Sequence, residues 1–249
     1  MSTNFKKLAD DQVENFDTEY VNNKMWESLK KKINNEFGSK SFRFLDIGGG
    51  NGLFSDRVLE IFPNSTCLLI DNSEVLLSRN KVSNRKTLLN ISIEDISDIL
   101  INQKFNLVCL NLVLHHLVGN DYKGTIINIQ KTLKIAKDHL CSDGIISIYE
   151  NLYDGYIIDN SPSHIIFNLT SCTLIAPLIR KLGANTAGCG VCFLSKKKWF
   201  DVLSGTGLTS IDVEEYTAKK FSLFKKVFLN LRLVRVGHFW CTSNSNLPQ

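Results

Sequence analysis

Short apolar runs alternate with amphipathic segments between residues 42 and 151. Between the runs, apolar residues recur at helical spacing, as in Ile126, Ile129 and Leu133. Strands separated by helices need crossover connections, and these favour a parallel sheet with helices on both faces. The sequence therefore predicts a doubly wound, mostly parallel α/β fold. Its first five strands are expected at 42–47, 65–71, 86–93, 105–113 and 144–151.

The pattern changes after residue 150. A helix beginning after Ser195, its expected N-cap, is followed by two strand-like runs, 209–216 and 235–243. These runs predict a terminal antiparallel hairpin at the sheet edge, which gives seven strands in total. We expect a single domain, 1–249. Its parts are an N-terminal helical segment (1–40), a cofactor-binding core (41–150), a helical cap insertion (151–195), and a C-terminal helix with the hairpin (196–249).

Length and charge set few limits on function. The chain of 249 residues has 29 Lys and Arg against 25 Asp and Glu, a net charge of +4 that neither demands nor excludes a polyanionic partner. The first residues lack the apolar core of a secretory signal, and no uninterrupted apolar stretch reaches about 20 residues. We expect a cytoplasmic protein with no membrane span.

The seven cysteines are scattered and several lie in apolar runs, which predicts reduced core residues. Cys189 and Cys192 have the spacing of metal ligands, and His238 with Cys241 would complete a set of four. However, an offset of three residues in a strand points the last two side chains to opposite faces. No metal site is predicted.

The run FRFLDIGGGNG, residues 42–52, places glycines directly between a strand and a helix. Such a turn lets a ligand approach the backbone and the N–H groups at the start of the helix. Dinucleotide sites have the spacing G-x-G-x-x-G, but the sixth position from Gly48 is Leu53. No G-K-[ST] follows, so the loop is not a P-loop either.

Two carboxylates narrow the class of ligand. Asp46 lies at the end of the first strand, where it would repel a pyrophosphate and attract an ammonium or sulfonium cation. Asp71 ends the second strand, about twenty residues beyond the glycines, where it can accept hydrogen bonds from both hydroxyls of a ribose.

LDIGGGNG, followed by LLID, IEDI and FNLVCLNLVLHHL, resembles the seven-stranded class I S-adenosylmethionine-dependent methyltransferases, in particular the small-molecule branch. The resemblance covers about residues 40 to 150. It implies S-adenosylmethionine as cofactor, with Asp46 and the glycines at its methionine end, Asp71 at its ribose and Asn111 beside its sulfonium. The implied cofactor-binding residues are Asp46, Gly48, Gly49, Gly50, Gly52, Asp71, Asn72, Glu94, Asp95, Ile96 and Asn111, with Asp95 and the Ile96 amide near the adenine.

Individual residues in this set have simpler interpretations. Asp71 would serve equally as a cap of the helix at 73–77, and Asp95 as a cap of the helix that follows it. Their occurrence at successive strand ends favours the cofactor, because ligands of such sheets bind beyond the carboxyl ends of the strands.

His115 and His116 follow the fourth strand, where the mouth of the active site is expected. A near-neutral imidazole suits removal of a proton from a phenol, hydroxyl or amine, so one of the two is the candidate general base. The alternative is that both pack the loop.

The absence of one sequence signature restricts the class of methyl acceptor. The fourth strand is not followed by the Asn/Asp-Pro-Pro-aromatic signature of nucleic-acid and protein amino-methylating enzymes, and this disfavours nucleic acid. The basic, aromatic run 219–235 is compatible with an RNA substrate. The same run would equally form a solvent-exposed face that carries one apolar stripe.

The apolar insertion after the fifth strand, 161–183, is interrupted by Pro177 and would cover the cleft as a pair of helices. That arrangement favours a hydrophobic or aromatic acceptor, although the stripe would also serve as core or as a homodimer face. Residues placed to line the pocket are Tyr20, Trp26, Tyr149, Glu150, Asn151 and Tyr153.

These observations predict methyl transfer to a small molecule, a metabolite or natural product, with oxygen favoured over nitrogen or carbon as acceptor. The alternatives are an RNA methyltransferase, a nicotinamide-dependent oxidoreductase, which the residue at position 53 disfavours, and a scaffold that binds the cofactor without turnover.

Overall fold

A computed structural model describes residues 6, 12, 21–217 and 221–243. Seven strands form one sheet in the order β3-β2-β1-β4-β5-β7-β6. Neighbours among the first five strands pair in parallel, and β7 runs antiparallel to both β5 and β6. This confirms the predicted fold class. The strands are β1 Phe42–Ile47, β2 Ser65–Asp71, β3 Lys86–Asn90, β4 Phe105–Asn111, β5 Leu140–Gly155, β6 Leu208–Thr217 and β7 Leu231–Ser243.

The helices begin at polar caps, as the sequence pattern indicates. The side chains of Asn22, Asp121 and Ser195 accept hydrogen bonds from backbone N–H groups in the first turns of their helices. Ser195 was the predicted cap. The α-helices of the described residues are α1 Asn23–Phe37, α2 Leu53–Ile61, α3 Glu74–Leu77, α4 Ile96–Ile99, α5 Tyr122–Asp138, α6 Ser161–Ser171, α7 Ala176–Lys181, α8 Lys196–Gly205 and α9 Leu223–Phe228.

The sheet is buried on both faces. In β1, Leu45 and Ile47 face one apolar layer, whereas Phe42 and Phe44 face the other. The first layer is completed by side chains of α5 and α8, including Trp199, and the second by side chains of α1 and α2. Because both faces of the central strands are covered, only the ends of the strands and the loops beyond them are open to a ligand.

Several boundaries differ from the sequence prediction. The strand predicted at 86–93 ends at Asn90, and a 3₁₀ turn, Ile93–Asp95, follows it. The strand predicted at 144–151 extends from Leu140 to Gly155, because Leu140 pairs with Phe105 of β4 at one end and β7 continues the pairing as far as Leu231 at the other. Of the N-terminal helical segment predicted at 1–40, the part before residue 21 lies outside the described residues apart from Lys6 and Gln12.

The predicted insertion forms two short helices, α6 and α7. Pro162 and Pro177 lie in their first turns, where the missing N–H groups cost no helical hydrogen bond. None of the described helices has the length and hydropathy required to cross a membrane.

Candidate active site

The glycine loop follows β1 directly, and its shape depends on glycine. The N–H of Gly48 donates to the carbonyl of Ile70 at 2.7 Å, which ties the loop to the end of β2. Gly48, Gly50 and Gly52 have positive φ angles of 71°, 51° and 73°. A Cβ atom on Gly48 would also lie 2.5 Å from Cγ2 of Val113. The loop therefore has no room for a side chain at Gly48.

Asp71 and Asn111 stand on opposite sides of this loop. Ile47, the last residue of β1, pairs with Ile70 of β2 and with Leu110 of β4. The next residues on those two strands are Asp71 and Asn111, so both lie level with the start of the glycine loop. The predicted convergence of polar groups at the carboxyl ends of adjacent strands is present in the structure.

The Asp71 carboxylate shapes the loop. Its Oδ2 accepts a hydrogen bond from the N–H of Gly50 at 2.9 Å, and its Oδ1 accepts one from the N–H of Ser73 at 2.8 Å. Burial raises the pKa of Asp71 above its usual value, although the backbone hydrogen bonds from Ser73, Gly50 and Asn72 act in the opposite direction. The cap of α3 is Ser73, not Asp71. Asp71 therefore organises the loop that a ligand would approach.

The Asn111 side chain is the clearest indication of a ligand-binding site. Both Oδ1 and Nδ2 are buried, and neither has a hydrogen-bond partner within the part of the chain that the structure describes. The next residue, Leu112, has a φ of 56°, which is a strained conformation for a bulky side chain. Unsatisfied buried amides and backbone strain are both costly, and both occur typically at functional sites. A polar group on a cofactor would satisfy Asn111.

Asp46 contacts the loop from the side of α2. It is 1% exposed, and Oδ2 accepts a hydrogen bond from the hydroxyl of Ser55 at 2.5 Å. A Cβ atom on Gly49 would lie 2.7 Å from the same oxygen, so this carboxylate packs against the loop backbone. Asp46 thus supports the backbone of the glycine loop. Its attraction for the methionine end of the cofactor remains a prediction.

The predicted adenine-binding residues surround the 3₁₀ turn after β3. Asp95 is exposed and its side chain makes no capping hydrogen bond, so the alternative interpretation as a cap lacks support. Oε1 of Glu94 is buried without a partner among the described residues. The N–H of Ile96 donates to the carbonyl of Ile93, and an adenine contact at this amide has no support in the geometry.

His115 is held by a buried carboxylate. Its Nδ1 lies 2.7 Å from Oε2 of Glu150, which is fully buried on β5. The other oxygen, Oε1, accepts hydrogen bonds from the N–H groups of Leu114 and His115 at 2.8 and 3.3 Å. Glu150 follows Tyr149, the register partner of Asn111. A single carboxylate therefore fixes both the turn after β4 and the orientation of one imidazole beside the candidate cofactor site.

His116 lies next to His115, with 4.1 Å between the ring centroids. Burial, and to a smaller extent the neighbouring His115, hold the pKa of His116 well below its usual value. His116 is consequently neutral at physiological pH. Both histidines are present at the strand end as predicted, and the hydrogen bond to Glu150 fixes the ring of His115.

The residues predicted to line a substrate pocket separate into two groups. Trp26 and Tyr149 are buried in the layer between α1 and the sheet, where the Tyr149 hydroxyl donates to the carbonyl of Met25 at 3.1 Å. Tyr153 instead stacks on Phe193, at 4.5 Å between centroids, and the Phe193 ring lies 4.9 Å from that of His115. Asn151 is partly exposed, and Tyr20 lies outside the described residues.

Two residues of the site were not predicted in their observed roles. The Nδ2 group of Asn80, three residues after the end of α3, donates to the carbonyl of Gly50 at 2.8 Å and so holds the glycine loop. Glu150 was expected to line a pocket and instead holds His115. The role of Glu150 was signalled only by a carboxylate that follows the mostly apolar run 145–149, and no local pattern signalled the role of Asn80.

Two of the four residues considered as metal ligands, Cys192 and His238, are buried in other surroundings. Burial raises the pKa of Cys192 to about 11, and Nε2 of His238 lies 2.9 Å from the hydroxyl of Ser147. No group of three or more His, Cys, Asp or Glu residues suited to a metal occurs among the described positions.

Comparison with known proteins agrees with this geometry. Residues 45–146 match the model of a family described as a methyltransferase domain. A malonyl-[acyl-carrier protein] O-methyltransferase 2 of Ilyobacter polytropus is 29% identical over 101 residues, which are 40% of this chain and 38% of the relative. A malonyl-[acyl-carrier protein] O-methyltransferase of Bacillus cytotoxicus is 22% identical over 127 residues, 51% of this chain and 41% of the relative. The chain thus spans about two fifths of the length of the curated relatives it matches.

The fold is shared by solved structures over nearly the whole chain. The N-methyltransferase NodS from Bradyrhizobium japonicum, in complex with S-adenosyl-L-homocysteine, superposes with a TM-score of 0.55 at 13% identity, covering 93% of this chain and 95% of that one. The strand order of the sheet and the family match both agree with the fold of a class I methyltransferase. Residues 45–146 thus match a methyltransferase-domain family, in agreement with the resemblance to S-adenosylmethionine-dependent methyltransferases seen in the sequence.

Proposed function

We propose that this protein transfers the methyl group of S-adenosylmethionine to an oxygen atom of a small, hydrophobic or aromatic acceptor. The observation that carries the proposal is the strand-end arrangement in which the glycine loop lies between Asp71 and the unsatisfied amide of Asn111. Oxygen is favoured because both curated relatives are named as O-methyltransferases.

The residues present are suited to this cofactor. The Asp71 carboxylate would accept hydrogen bonds from the ribose hydroxyls, and the glycine loop admits the backbone approach that the methionine portion requires. The amide of Asn111 would lie beside the sulfonium. S-adenosylmethionine supplies an electrophilic methyl group, and the protein must align the acceptor atom with it and exclude water.

His115 is the residue that would remove the acceptor's proton. Glu150 holds Nδ1, which fixes the ring and leaves Nε2 as the proton-accepting atom. Histidine suits this task because imidazole exchanges protons in the neutral range. The aromatic rings of Phe193 and Tyr153 extend from His115 toward the cap, and they favour a flat or apolar acceptor at this position.

A carboxylate on a carrier-bound acyl chain is the second candidate acceptor, and the names of the two curated relatives favour it. The two candidates differ in chemistry. A hydroxyl or phenol must lose a proton during transfer, whereas a carboxylate has already lost it at neutral pH. A general base is therefore required only for the first.

Two measurements test the proposed function. Calorimetric titration with S-adenosylhomocysteine should show binding, and NADH should not stabilise the protein against heat. Radiolabelled S-adenosylmethionine, offered with phenols, hydroxylated apolar compounds and malonyl-carrier protein, should label one acceptor class. Failure of folded protein to bind S-adenosylhomocysteine would overturn the proposal, and binding without turnover on any acceptor would favour a non-catalytic scaffold.

A further inference from the structure

Exposed apolar side chains are concentrated on one part of the molecule. Of the twenty large apolar residues that are exposed in the described chain, eleven lie in the segments 156–158, 174–182 and 223–233. Isolated exposed apolar residues are ordinary on protein surfaces, but a contiguous group marks an interaction site. The eleven are Tyr156, Ile157, Ile158, Leu174, Leu178, Leu182, Leu223, Phe224, Val227, Phe228 and Leu233.

The three segments are neighbours in space. The Nζ atom of Lys225 in α9 donates to the carbonyl of Leu182 at the end of α7, at 3.5 Å. The N–H of Tyr156 donates to the carbonyl of Asn230, just after α9, at 3.2 Å. The loop 156–158, the helix α7 and the helix α9 therefore form one surface, which we call the apolar face.

The helix α9 shows how far these side chains project. Phe224 and Phe228 are one helical turn apart, and their rings stack at 6.1 Å between centroids. They are 77% and 59% exposed. Two phenyl groups held side by side in water forgo the favourable free energy of burial. This arrangement is typical of a surface that is covered by a membrane or by another molecule.

The charged residues within the three segments of the apolar face are all basic, while Asp154 and Asp159 beside them pair with Arg232. Residues 160–200 and 217–249 contain eleven Lys and Arg and no Asp or Glu. Arg180 and Lys181 end α7, and Lys225 and Lys226 lie in the middle of α9. Because the whole chain has nearly as many acidic as basic residues, this separation is a local property of these segments.

We propose that the apolar face binds the surface of an anionic lipid bilayer. Phe224, Phe228 and the apolar side chains of α7 would enter the boundary between headgroups and acyl chains, while the lysines and arginines contact anionic headgroups. A bilayer matches both features together, because it presents an apolar interior beneath a negatively charged surface. The proposal does not depend on methyl transfer.

Flotation with lipid vesicles tests this assignment. The intact protein should float with vesicles of phosphatidylcholine that contain about one quarter phosphatidylserine, and much less with phosphatidylcholine alone. The variants F224S/F228S and K225E/K226E should each bind the anionic vesicles about tenfold or more weakly. The matched control is K131E/K134E, which makes the same charge change at exposed positions on α5.

Three results would overturn the proposal. One is the absence of vesicle binding by the folded protein. Another is an equal loss in K131E/K134E, since binding would then reflect overall charge. The third is a concentration-dependent dimer, seen by sedimentation, that F224S/F228S dissociates while vesicles remain unbound, since a second copy of the chain would then cover the face. Circular dichroism and binding of S-adenosylhomocysteine verify the fold of each variant.

Discussion

The carboxylate of Asp71 accepts a hydrogen bond from the backbone N–H of Gly50 at 2.9 Å, across 21 residues of chain. The contact joins the end of β2 to the loop after β1, so the group expected to meet the ribose also sets the shape of the loop. Burial raises the pKa of this carboxyl group, which means that the fold holds a charge where it is poorly solvated. The unfavourable free energy of burying a charged group is typical of residues that bind a ligand.

Asp71→Ala should weaken binding of S-adenosylhomocysteine by about 1 to 3 kcal/mol, because charged hydrogen bonds to the ligand and to the loop are lost together. Isothermal titration calorimetry measures the change. The matched control is Glu74→Ala, which removes an exposed carboxylate in the first turn of α3. Equal affinities for the intact protein and Asp71→Ala would contradict the assignment of Asp71 to the ribose.

Gly48→Ala should reduce the free energy of unfolding by about 1 to 3 kcal/mol more than Gly183→Ala does. Both glycines have positive φ, so both variants bear the cost of a left-handed alanine. Only at Gly48 does the new Cβ collide with a neighbour, at 2.5 Å from Val113, whereas nothing lies within 4 Å at Gly183. Urea unfolding measures the difference, and equal losses would show that the loop accommodates a side chain.

The buried histidine His238 should make the protein sensitive to acid. Burial lowers its pKa to about 3, and its Nε2 lies 2.9 Å from the hydroxyl of Ser147. The unfolded chain takes up this proton near pH 6.5, whereas the folded chain does so only near pH 3. The unfolded state thus binds more protons inside this window. The contribution of His238 to the free energy of unfolding is therefore fully present above about pH 6.5. It falls by about 1.4 kcal/mol per pH unit as the pH decreases toward 3.

His238→Gln provides the test, because glutamine can keep a polar atom near Ser147 and does not titrate. We expect the free energy of unfolding in urea, measured between about pH 7.5 and about pH 5, to change less steeply with pH in the variant. The difference in slope should be up to about 1.4 kcal/mol per pH unit, which corresponds to one proton. Any loss of stability from imperfect packing would be the same at each pH. A slope equal to that of the intact protein would assign the acid sensitivity to other groups.

The fold and the position of the site could be predicted because both follow from local patterns. Apolar runs that alternate with helical spacing indicate a parallel sheet, and the strand ends then bring Asp71 and Asn111 to the same edge whatever the details of packing. The prediction was less accurate for β5, since its length depends on pairing with β7, about ninety residues later in the chain. Long-range pairing of this kind leaves little local signal.

The contacts inside the site could not be predicted for the same reason. Glu150 and His115 are 35 residues apart, and their meeting depends on the register between β4 and β5. Likewise, Ile96 was expected to offer its N–H to a ligand, but the local 3₁₀ turn takes that donor. Sequence patterns indicate which residues reach a strand end, whereas hydrogen-bond partners depend on the packed structure.

His115→Asn should separate a catalytic from a purely structural role of His115. Asparagine places an amide N–H close to the position of Nδ1, so the hydrogen bond to Glu150 and the turn after β4 can be kept, whereas the atom at Nε2 is lost. If His115 is the base, kcat with a hydroxyl or phenol acceptor should fall about 10²- to 10⁴-fold, with little change in the affinity for S-adenosylhomocysteine.

The same variant distinguishes the two candidate acceptors. A carboxylate acceptor needs no proton removed, so its methylation should be nearly unaffected by His115→Asn. His116→Asn is the control, because His116 lies beside His115 but lacks the bond to Glu150 in the described structure. If His115→Asn keeps the full rate with a phenol, Glu150 and His115 only hold the turn. If His116→Asn alone loses the rate, the proton passes to the neutral imidazole of His116 instead.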